Sequence, residues 1–340
     1  MQAKKAILVT GGAGYIGSHV CKLLYQKGYA PIVIDNLNVG HPYAVQWGPL
    51  VYGDIHNKKL IETTLKTYRP IAVMHFAADA LVGESLSNPS KYYHNNLSGT
   101  ISLLRAMQET GINNLIFSST CATYGHPVKI PMDENHPQNP INPYGRSKWM
   151  VEQILQDFSK AHGLHYFSLR YFNAAGADLD LDIGEDRVYE THLIPLVMQA
   201  AYHNTPIQIF GNDFDTKDKT AVRDYIHVMD LAEAHVKAME WLLKHRRCLC
   251  VNLGTGTGFS VKEIIQAAEK ICQKSVLIKQ MNRRQGDPAI LVANAKQASK
   301  ILDWKPTNSQ IDIIITSAWK WYQKKEQGSF NRESINTKAK

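Results

Sequence analysis

The sequence lacks several features that would assign it to a class of protein at once. It has no run of about 18 apolar residues, so no segment is predicted to span a membrane. Its five cysteines are odd in number and show no disulfide spacing, which favours a reducing cytoplasm. The N-terminal residues pass from two lysines directly into a short apolar stretch, so we expect no signal peptide.

Strongly basic tracts and low-complexity segments are also missing. The net charge of +8 is scattered along the chain and forms no docking surface for nucleic acid. Cys248 and Cys250 have too few ligand-type neighbours for a metal site, so we interpret them as buried or half-buried thiols. We expect no nucleic-acid partner, no membrane partner and no metal, but a modest attraction for anionic small molecules such as nucleotides.

The chain does contain an alternation of strand and helix patterns. It is 340 residues long and 44% hydrophobic, enough for a large core. Short β-branched or aromatic runs predict buried strands at 6–10, 31–35, 72–78, 115–120 and 166–173. Helical patterns lie between them at 15–27, 58–68, 95–109 and 144–162. This alternation predicts an α/β fold with a doubly wound parallel Rossmann sheet.

The alternation breaks after residue 178, which predicts a second lobe. We expect residues 1–178 to form a nucleotide-binding domain that the chain rejoins over about 222–254. Residues 179–221 and 255–327 are expected to form a smaller mixed α/β lobe that binds the substrate. A flexible tail is predicted at 328–340.

The stretch TGGAGYIG follows the first strand and opens the first helix. Gly11, Gly14 and Gly17 match the spacing GxxGxxG, and Gly12 begins the alternative match GxGxxG. Without Cβ atoms the backbone approaches a pyrophosphate closely, and the helix N-terminus supplies free N–H donors. The stretch therefore predicts a dinucleotide site.

The next two strands indicate which dinucleotide is bound. Asp35 ends the second strand, where a carboxylate accepts hydrogen bonds from ribose hydroxyls and repels a 2′-phosphate, so we expect NAD. Asn36 can share that ribose, and Asp54 is placed to meet the adenine amino group. Small residues let the dinucleotide lie against the backbone at the end of the fourth strand, in the run Phe76, Ala77 and Ala78.

The stretch NPYGRSKW places a phenol and an ammonium one helical turn apart. Asn142 is a good N-cap and Pro143 a good first residue, which puts Tyr144 in the first turn and Lys148 on the same face. A tyrosine that acts as a base at neutral pH needs its pKa lowered by roughly 3 units, or about 4 kcal/mol. We expect Lys148, the helix dipole and an oxidised nicotinamide ring to lower it.

A hydroxyl group is predicted to work beside this phenol. Thr120 ends the fifth strand, and parallel sheets carry their active residues at the carboxyl ends of the strands. From there its hydroxyl can pass a proton between a substrate alcohol and Tyr144.

These motifs together resemble a known family. TGGAGYIG, HFAA, SSTCATYG, PYGRSK and RYFNAAG, in this order, are similar to the extended short-chain dehydrogenase/reductase family. VGES, VRDYIHV and RRQGD are similar, more narrowly, to its UDP-glucose 4-epimerase branch. The resemblance covers residues 6 to about 322. It implies a homodimer paired through the long helices, with Leu103, Leu104 and Met107 as candidate exposed apolar positions, although core packing explains these three residues equally well.

The resemblance also implies an activity and a set of site residues. The activity is NAD-dependent interconversion of UDP-glucose and UDP-galactose, by inversion at C4 through a 4-keto intermediate. The catalytic set would be Tyr144, Lys148 and Thr120. Further cofactor contacts would be Tyr15, Ile16, Ile55, Asn95 and Phe172. The substrate would be held by Asn173, Leu193, Phe210, Arg223, Arg284, Asp287 and Leu291.

Some positions depart from the pattern of that family. Ala80 stands where lysine is common, which removes one cationic cofactor contact. His192 stands where many relatives have asparagine near the phosphates, although a start-of-helix histidine explains it equally well. Leu291 is larger than the serine or cysteine of members with broad substrate range, which predicts poor activity on N-acetylated sugars.

The same residues bear on three alternative functions. A 4,6-dehydratase would need carboxylates where this chain has Cys121 and Ala122, which argues against that activity. A UDP-xylose/UDP-arabinose 4-epimerase uses the same chemistry and stays open. A non-catalytic nucleotide-sensing relative would often lack the tyrosine or lysine, whereas Tyr144 and Lys148 are both present.

Overall fold

The computed structural model describes residues 4–284 and 286–328. Its strands in chain order are β1 (Ala6–Thr10), β2 (Ala30–Asp35), β3 (Leu50–Tyr52), β4 (Ala72–His75), β5 (Asn114–Thr120), β6 (His165–Tyr171), β7 (Asn173–Ala175), β8 (Ile207–Phe210), β9 (Val222–His227), β10 (Leu249–Leu253), β11 (Gly258–Ser260), β12 (Ile278–Met281) and β13 (Ile290–Leu291).

The α-helices follow these strands in near-regular alternation through the first half of the chain. They are α1 (Tyr15–Gln26), α2 (Lys58–Tyr68), α3 (Val82–Ser87), α4 (Pro89–Tyr92), α5 (Gly99–Thr110), α6 (Pro143–His162), α7 (Leu193–His203), α8 (Val228–His245), α9 (Val261–Cys272), α10 (Lys296–Leu302) and α11 (Ile311–Glu326). One turn of π-helix, Tyr93–Ser98, precedes α5.

A seven-stranded parallel sheet forms the larger part of the fold, in the order β10-β6-β5-β4-β1-β2-β3. Strand β1 is apolar throughout because side chains on both of its faces pack into a core. Ile7 and Val9 pack into one core with α1 and α8, whereas Leu8 packs into a second core with α2, α5 and α6. Because both faces are covered, the predicted doubly wound Rossmann sheet is confirmed.

A smaller part of the fold carries its own sheets and core. Strand β9 pairs with β7, β11 and β13, and β8 pairs with β12. Helices α7, α9 and α11 pack together over this part, where Val197, Ile264 and Ile315 are buried. The pairing of β7 with β9 brings residues just after β6 next to the smaller sheet.

Several local predictions need correction. The fourth strand ends at His75, and the run predicted as one strand at 166–173 divides into β6 and β7. The predicted helix at 95–109 starts as π-helix and becomes α5. Of the two explanations for Leu103, Leu104 and Met107, the structure supports core packing, because all three are almost completely buried against the main sheet.

The predicted division into domains remains a prediction. Strand β10 joins the main sheet beside β6, within the part of the chain expected to return there, whereas β9 belongs to the smaller sheet. Most of the predicted tail, 329–340, lies outside the described residues. Within the described ranges, no helix is both long enough and apolar enough to cross a membrane.

Candidate active site

The glycine loop between β1 and α1 lies tight against the end of β4. Gly11 has a positive φ of 72°, and a Cβ there would meet the backbone nitrogen of Ala77 at 2.5 Å. A Cβ on Gly17 would meet the Gly11 carbonyl oxygen at 2.2 Å. Gly14 is the N-cap residue of α1 and has no side chain, so no side-chain cap accepts a hydrogen bond from the first N–H groups of the helix. This loop has the shape that a bound pyrophosphate requires.

The carboxylate of Asp35 stands beside this loop. Its Oδ2 accepts from Ala13 N at 3.0 Å and its Oδ1 from Leu37 N at 2.8 Å. Burial raises the pKa of Asp35, while those two backbone N–H groups lower it. The carboxylate is fixed at the carboxyl end of β2, where the sequence predicts a ribose contact.

The two neighbouring polar residues are joined to each other. Asn36 Nδ2 donates to Asp54 Oδ2 at 2.7 Å, and His56 N donates to Asp54 Oδ1 at 2.9 Å. Although burial opposes ionisation of Asp54, the bonds from His56 and Asn36 lower its pKa. The structure therefore brings the predicted adenosine residues together at one edge of the sheet.

The other predicted cofactor residues surround this loop in different roles. Tyr15 OH donates to the Gly176 carbonyl at 2.6 Å, and Ile16 packs on the main core. Phe76 N donates to Thr10 O at 2.9 Å, and Ala78 is half-buried just beyond. Ile55 is buried against Gly99.

The phenol of Tyr144 is positioned by the start of α6. Asn142 Oδ1 accepts from Gly145 N at 2.8 Å and Pro143 is the first helical residue, so the predicted cap is confirmed. Lys148 follows one turn later, and its Nζ donates to the Ser118 carbonyl at 2.9 Å. Thr120 ends β5, and its hydroxyl lowers the pKa of Tyr144. The structure thus brings the three predicted catalytic side chains to one place.

The electrostatics of this group differ from the expectation drawn from the sequence. Burial raises the pKa of Tyr144, and the hydrogen bond from Thr120 and the charge of Arg187 only partly oppose this. Burial also lowers the pKa of Lys148 to about 7, although Glu152 acts in the other direction. A phenolate at neutral pH therefore needs more positive charge than helix start and lysine supply in this structure.

The π-helix before α5 places two asparagines beside α6. Asn96 Nδ2 donates to the Asp79 carbonyl at 2.9 Å and lies 3.0 Å from Ser147 Oγ, which itself donates to the Tyr144 carbonyl. Asn95 acts to lower the pKa of Asp79, although burial of that carboxyl group raises it overall. The resemblance pointed to Asn95, and Asn96 was not singled out in the sequence. The linkage of Asn96 to Tyr144 through Ser147 depends on a π-helix that no periodicity indicated.

Arginines predicted to hold the nucleotide lie in the smaller part of the fold. Arg223 forms an ion pair with Asp287, and Arg284 lies over the Phe210 ring with its guanidinium 3.9 Å from the ring centre. Strand pairing sets Leu291 in register with Arg223. A flat ring under a guanidinium and a second arginine nearby suit a base and its phosphates.

The remaining predicted residues lie in an apolar cluster or at the start of a strand or helix. Phe172 packs with Tyr124 and Leu291 in a small apolar cluster. Asn173 starts β7, in register with Tyr225 of β9. Leu193 is the first residue of α7 and packs on the core of the smaller part.

His192 is joined to a group that the sequence did not reveal. Its Nδ1 lies 2.6 Å from Glu185 Oε1, and Arg187 Nε donates to the same oxygen at 2.9 Å. Despite burial, the carboxylate raises the pKa of His192. The sequence showed only an acidic loop here. The one arginine within that loop was the feature that could have indicated an ion pair.

The chain matches the model of the NAD dependent epimerase/dehydratase family over residues 7–254. It belongs to this family. Among curated proteins, it is 50% identical to a UDP-glucose 4-epimerase of Rhizobium meliloti (strain 1021), over 95% of this chain and 98% of the relative.

Solved structures of epimerases have the same fold. A UDP-glucose 4-epimerase of Brucella ovis in complex with NAD is 50% identical, with a TM-score of 0.91 over 93% of this chain and 98% of that one. One from Stenotrophomonas maltophila, with bound NAD and formylated UDP-arabinopyranose, is 38% identical, with a TM-score of 0.92 over 95% and 99%.

The residues of this epimerase/dehydratase family member fit the cofactor of the family name. The close approach of Gly11 to Ala77 leaves a backbone cradle that side chains would fill. Asp35 adds a fixed carboxylate at the end of β2. Both features suit an NAD pyrophosphate and ribose.

Proposed function

We propose that this protein interconverts UDP-glucose and UDP-galactose by inversion at C4, with tightly bound NAD. The observation that carries the proposal is the grouping of Tyr144, Lys148 and Thr120 at the carboxyl end of β5, which is two strands away from β1 and its glycine loop. The names of the relatives support the same activity.

Each catalytic side chain has a separate task in the proposed reaction. Tyr144 accepts the proton of the sugar 4-hydroxyl, directly or through Thr120, and later returns it. Lys148, held by the Ser118 carbonyl, adds positive charge when it is protonated. The chemistry that NAD supplies when bound is reversible acceptance of hydride from C4. The added positive charge of its oxidised ring would also favour the phenolate.

Inversion requires a firmly held nucleotide and a sugar that can turn. We assign the UDP part to Arg223, Arg284, Asp287 and Phe210, with Asn173 and Leu193 beside it. The ion pair and the ring contact keep these side chains in place. With the nucleotide fixed, the 4-keto sugar rotates about its phosphate linkage and presents its other face.

Leu291 is the residue that we expect to limit the substrate range. It packs against the cluster of Phe172 and Tyr124 and is half-buried, which leaves little freedom to move aside. An N-acetyl group at C2 of the sugar would need that space. We therefore expect UDP-N-acetylglucosamine to react more slowly than UDP-glucose, by about tenfold or more.

A pentose substrate remains a second candidate. The Stenotrophomonas relative was solved with formylated UDP-arabinopyranose, and the chemistry at C4 is the same.

We also propose that the protein acts in the cytoplasm as a homodimer. Half-exposed apolar residues on α6 support a helical dimer interface: Trp149, Met150, Ile154 and Phe158.

One incubation tests the proposed activity. The protein is incubated separately with UDP-galactose, UDP-xylose and UDP-N-acetylglucosamine, and the products are separated. We expect UDP-glucose from the first as the fastest reaction. Tyr144→Phe should retain NAD but lose turnover by about 10³-fold. Faster turnover of UDP-xylose would favour the pentose function, and equal rates on the N-acetylated sugar would refute the role of Leu291.

A further inference from the structure

Helix α6 is attached to the end of β5 at two adjacent residues. Lys148 Nζ donates to the Ser118 carbonyl at 2.9 Å. One turn later on the same helix, Glu152 Oε1 accepts from Ser119 Oγ at 2.6 Å. Thr120, the last residue of β5, follows these two serines directly. The two hydrogen bonds therefore fix how this helix lies against the end of the strand.

The carboxylate of Glu152 is fully occupied by hydrogen bonds. Besides the bond from Ser119, its Oε1 accepts from Arg170 Nε at 2.9 Å. Its Oε2 accepts from Arg170 Nη2 at 2.6 Å and from Gln138 Nε2 at 2.9 Å. Only 1% of the Glu152 side chain is exposed. A two-pronged arginine contact of this kind fixes the orientation of both groups as well as their distance.

Arg170 is itself held by its surroundings. It lies opposite Ser119, because the pairing of β5 with β6 puts these two residues in register. Its Nη1 donates to Tyr124 OH at 2.9 Å, and Tyr124 OH donates to Asn252 Oδ1 on β10 at 2.7 Å. All of these side chains are buried. The ion pair of Glu152 and Arg170 is thus the centre of a polar network that joins α6 to three neighbouring strands.

Apolar packing alone would also hold α6 on the sheet. Val151 and Leu155, on either side of Glu152 along the helix, are completely buried in the core that α6 shares with α2 and α5. A buried ion pair is often no more stabilising than well-packed apolar residues of the same volume, but its hydrogen bonds are directional. What the network adds to the apolar packing is one fixed position of α6 along β5.

That position matters for the proposed proton transfer. Tyr144 and Lys148 move with the helix, whereas Thr120 and the Ser118 carbonyl move with the strand. A displacement of α6 would therefore lengthen the bond from Lys148 and change the distance between the phenol and the threonine hydroxyl. A misplacement of about 1 Å among reacting groups costs about 100-fold in rate.

We propose that Glu152 and Arg170 are positioning residues of this site, an ion pair that fixes α6 against the end of β5 through Ser119. The inference rests on the proposed function, because it concerns the same proton transfer. It predicts that loss of the pair lowers kcat and leaves the KM of the UDP-sugar nearly unchanged. The arginines that we assign to the nucleotide lie in the smaller part of the fold, away from this network.

The first test removes only the attachment of Glu152 to β5. In the NAD-loaded enzyme, we expect Ser119→Ala to lower kcat with UDP-galactose by about tenfold and to change KM less than about twofold. Ser168→Ala is the matched control and should leave kcat unchanged. Ser168 is a buried serine two residues before Arg170 on the same face of β6, and within the described part of the chain it bonds to neither member of the pair. Equal losses of kcat in both variants, or an unchanged kcat in Ser119→Ala, would overturn the inference.

The second test separates position from stability. The double variant Glu152→Met with Arg170→Met replaces the pair by apolar side chains, so its urea midpoint should stay close to that of the wild type. We nevertheless expect kcat to fall by about 100-fold. A double variant with wild-type kcat would show that the pair serves packing alone. If the double variant does not fold, the comparison of Ser119→Ala with Ser168→Ala still decides.

Crystal structures of the NAD-bound wild type and of these variants read the position of α6 without turnover. We expect Lys148 Nζ to move away from the Ser118 carbonyl, by about 1 Å in the double variant. An unmoved helix in every variant that folds would refute the inference. This readout also applies if the wild type turns over none of the UDP-sugars, in which case the proposed function alone has failed.

Discussion

Two buried lysines in this protein have opposite surroundings. Lys22 on α1 donates to Asp178 at 2.6 Å and to Asp180 and Asp182 at 2.8 Å each. Lys148 on α6 donates to one backbone carbonyl and no carboxylate is within ion-pair distance of it among the described residues. Both side chains are almost fully buried.

The different surroundings shift the pKa values of the two lysines in opposite directions. Burial opposes the charge of Lys22, but its three carboxylates outweigh burial and raise the pKa of Lys22. At Lys148 burial dominates and lowers the pKa to about 7. The first lysine is compensated and joins the glycine-loop helix to the segment after β7. The second is left uncompensated one helical turn from Tyr144, the phenol that we propose as the base, and uncompensated buried charges of this kind are typical of functional sites.

Removing the uncompensated lysine should have the largest effect, and on activity. We expect Lys148→Met to lower kcat by about 10³-fold, because Tyr144 loses its neighbouring cation. The free energy of unfolding at neutral pH should stay within about 1 kcal/mol, since an unpaired buried ammonium contributes little to stability. Rate assays and urea unfolding measure the two quantities, with Lys244→Met on the surface of α8 as control. A large loss of stability with modest loss of rate would reverse the comparison.

Removing the compensated lysine should act on stability instead. We expect Lys22→Met to lower the free energy of unfolding by about 3 kcal/mol, because it leaves the buried Asp178 without its partner. Activity per folded molecule should change little. Urea unfolding of Lys22→Met and of the double variant with Asp178→Asn measures this. If the double variant is no more stable than the single one, the unpaired carboxylate is not the cause.

Local features of the site could be predicted from the sequence. The cap at Asn142, the first-turn position of Tyr144 and the place of Thr120 at the end of β5 each depend on a few adjacent residues. The glycine loop is likewise a local pattern, and its close approach to Ala77 follows from the missing Cβ atoms. The doubly wound sheet follows from the alternation of such segments.

Features that depend on distant partners could not be predicted. Lys22 meets an aspartate 156 residues away, so its sequence neighbourhood does not reveal that it is buried and paired. The sequence shows the segment around Arg187 only as an acidic loop. The burial of the ion pair between Arg187 and Glu185 depends on distant residues that pack against this loop. Leu103 has a helical period that fits either a core or a dimer surface, and only packing decides between them.

The pH dependence of stability gives the smallest change per measured step, and the sharpest test of the two lysines. Folded Lys148 loses its proton near pH 7, whereas in the unfolded chain it keeps it to about pH 10.4. Between these values the unfolded state binds more protons, so stability rises with pH, by at most about 1.4 kcal/mol per pH unit. The free energy of unfolding of the wild type should therefore rise relative to that of Lys148→Met over this range, at equal cofactor content.

For Lys22 the folded pKa is raised, so the wild type should stay more stable than Lys22→Met until about pH 10 and lose this advantage above it. Urea unfolding at several pH values measures both differences. A Lys148 difference that does not change with pH would mean that this ammonium stays charged inside the fold, and that the contrast between the two lysines is wrong.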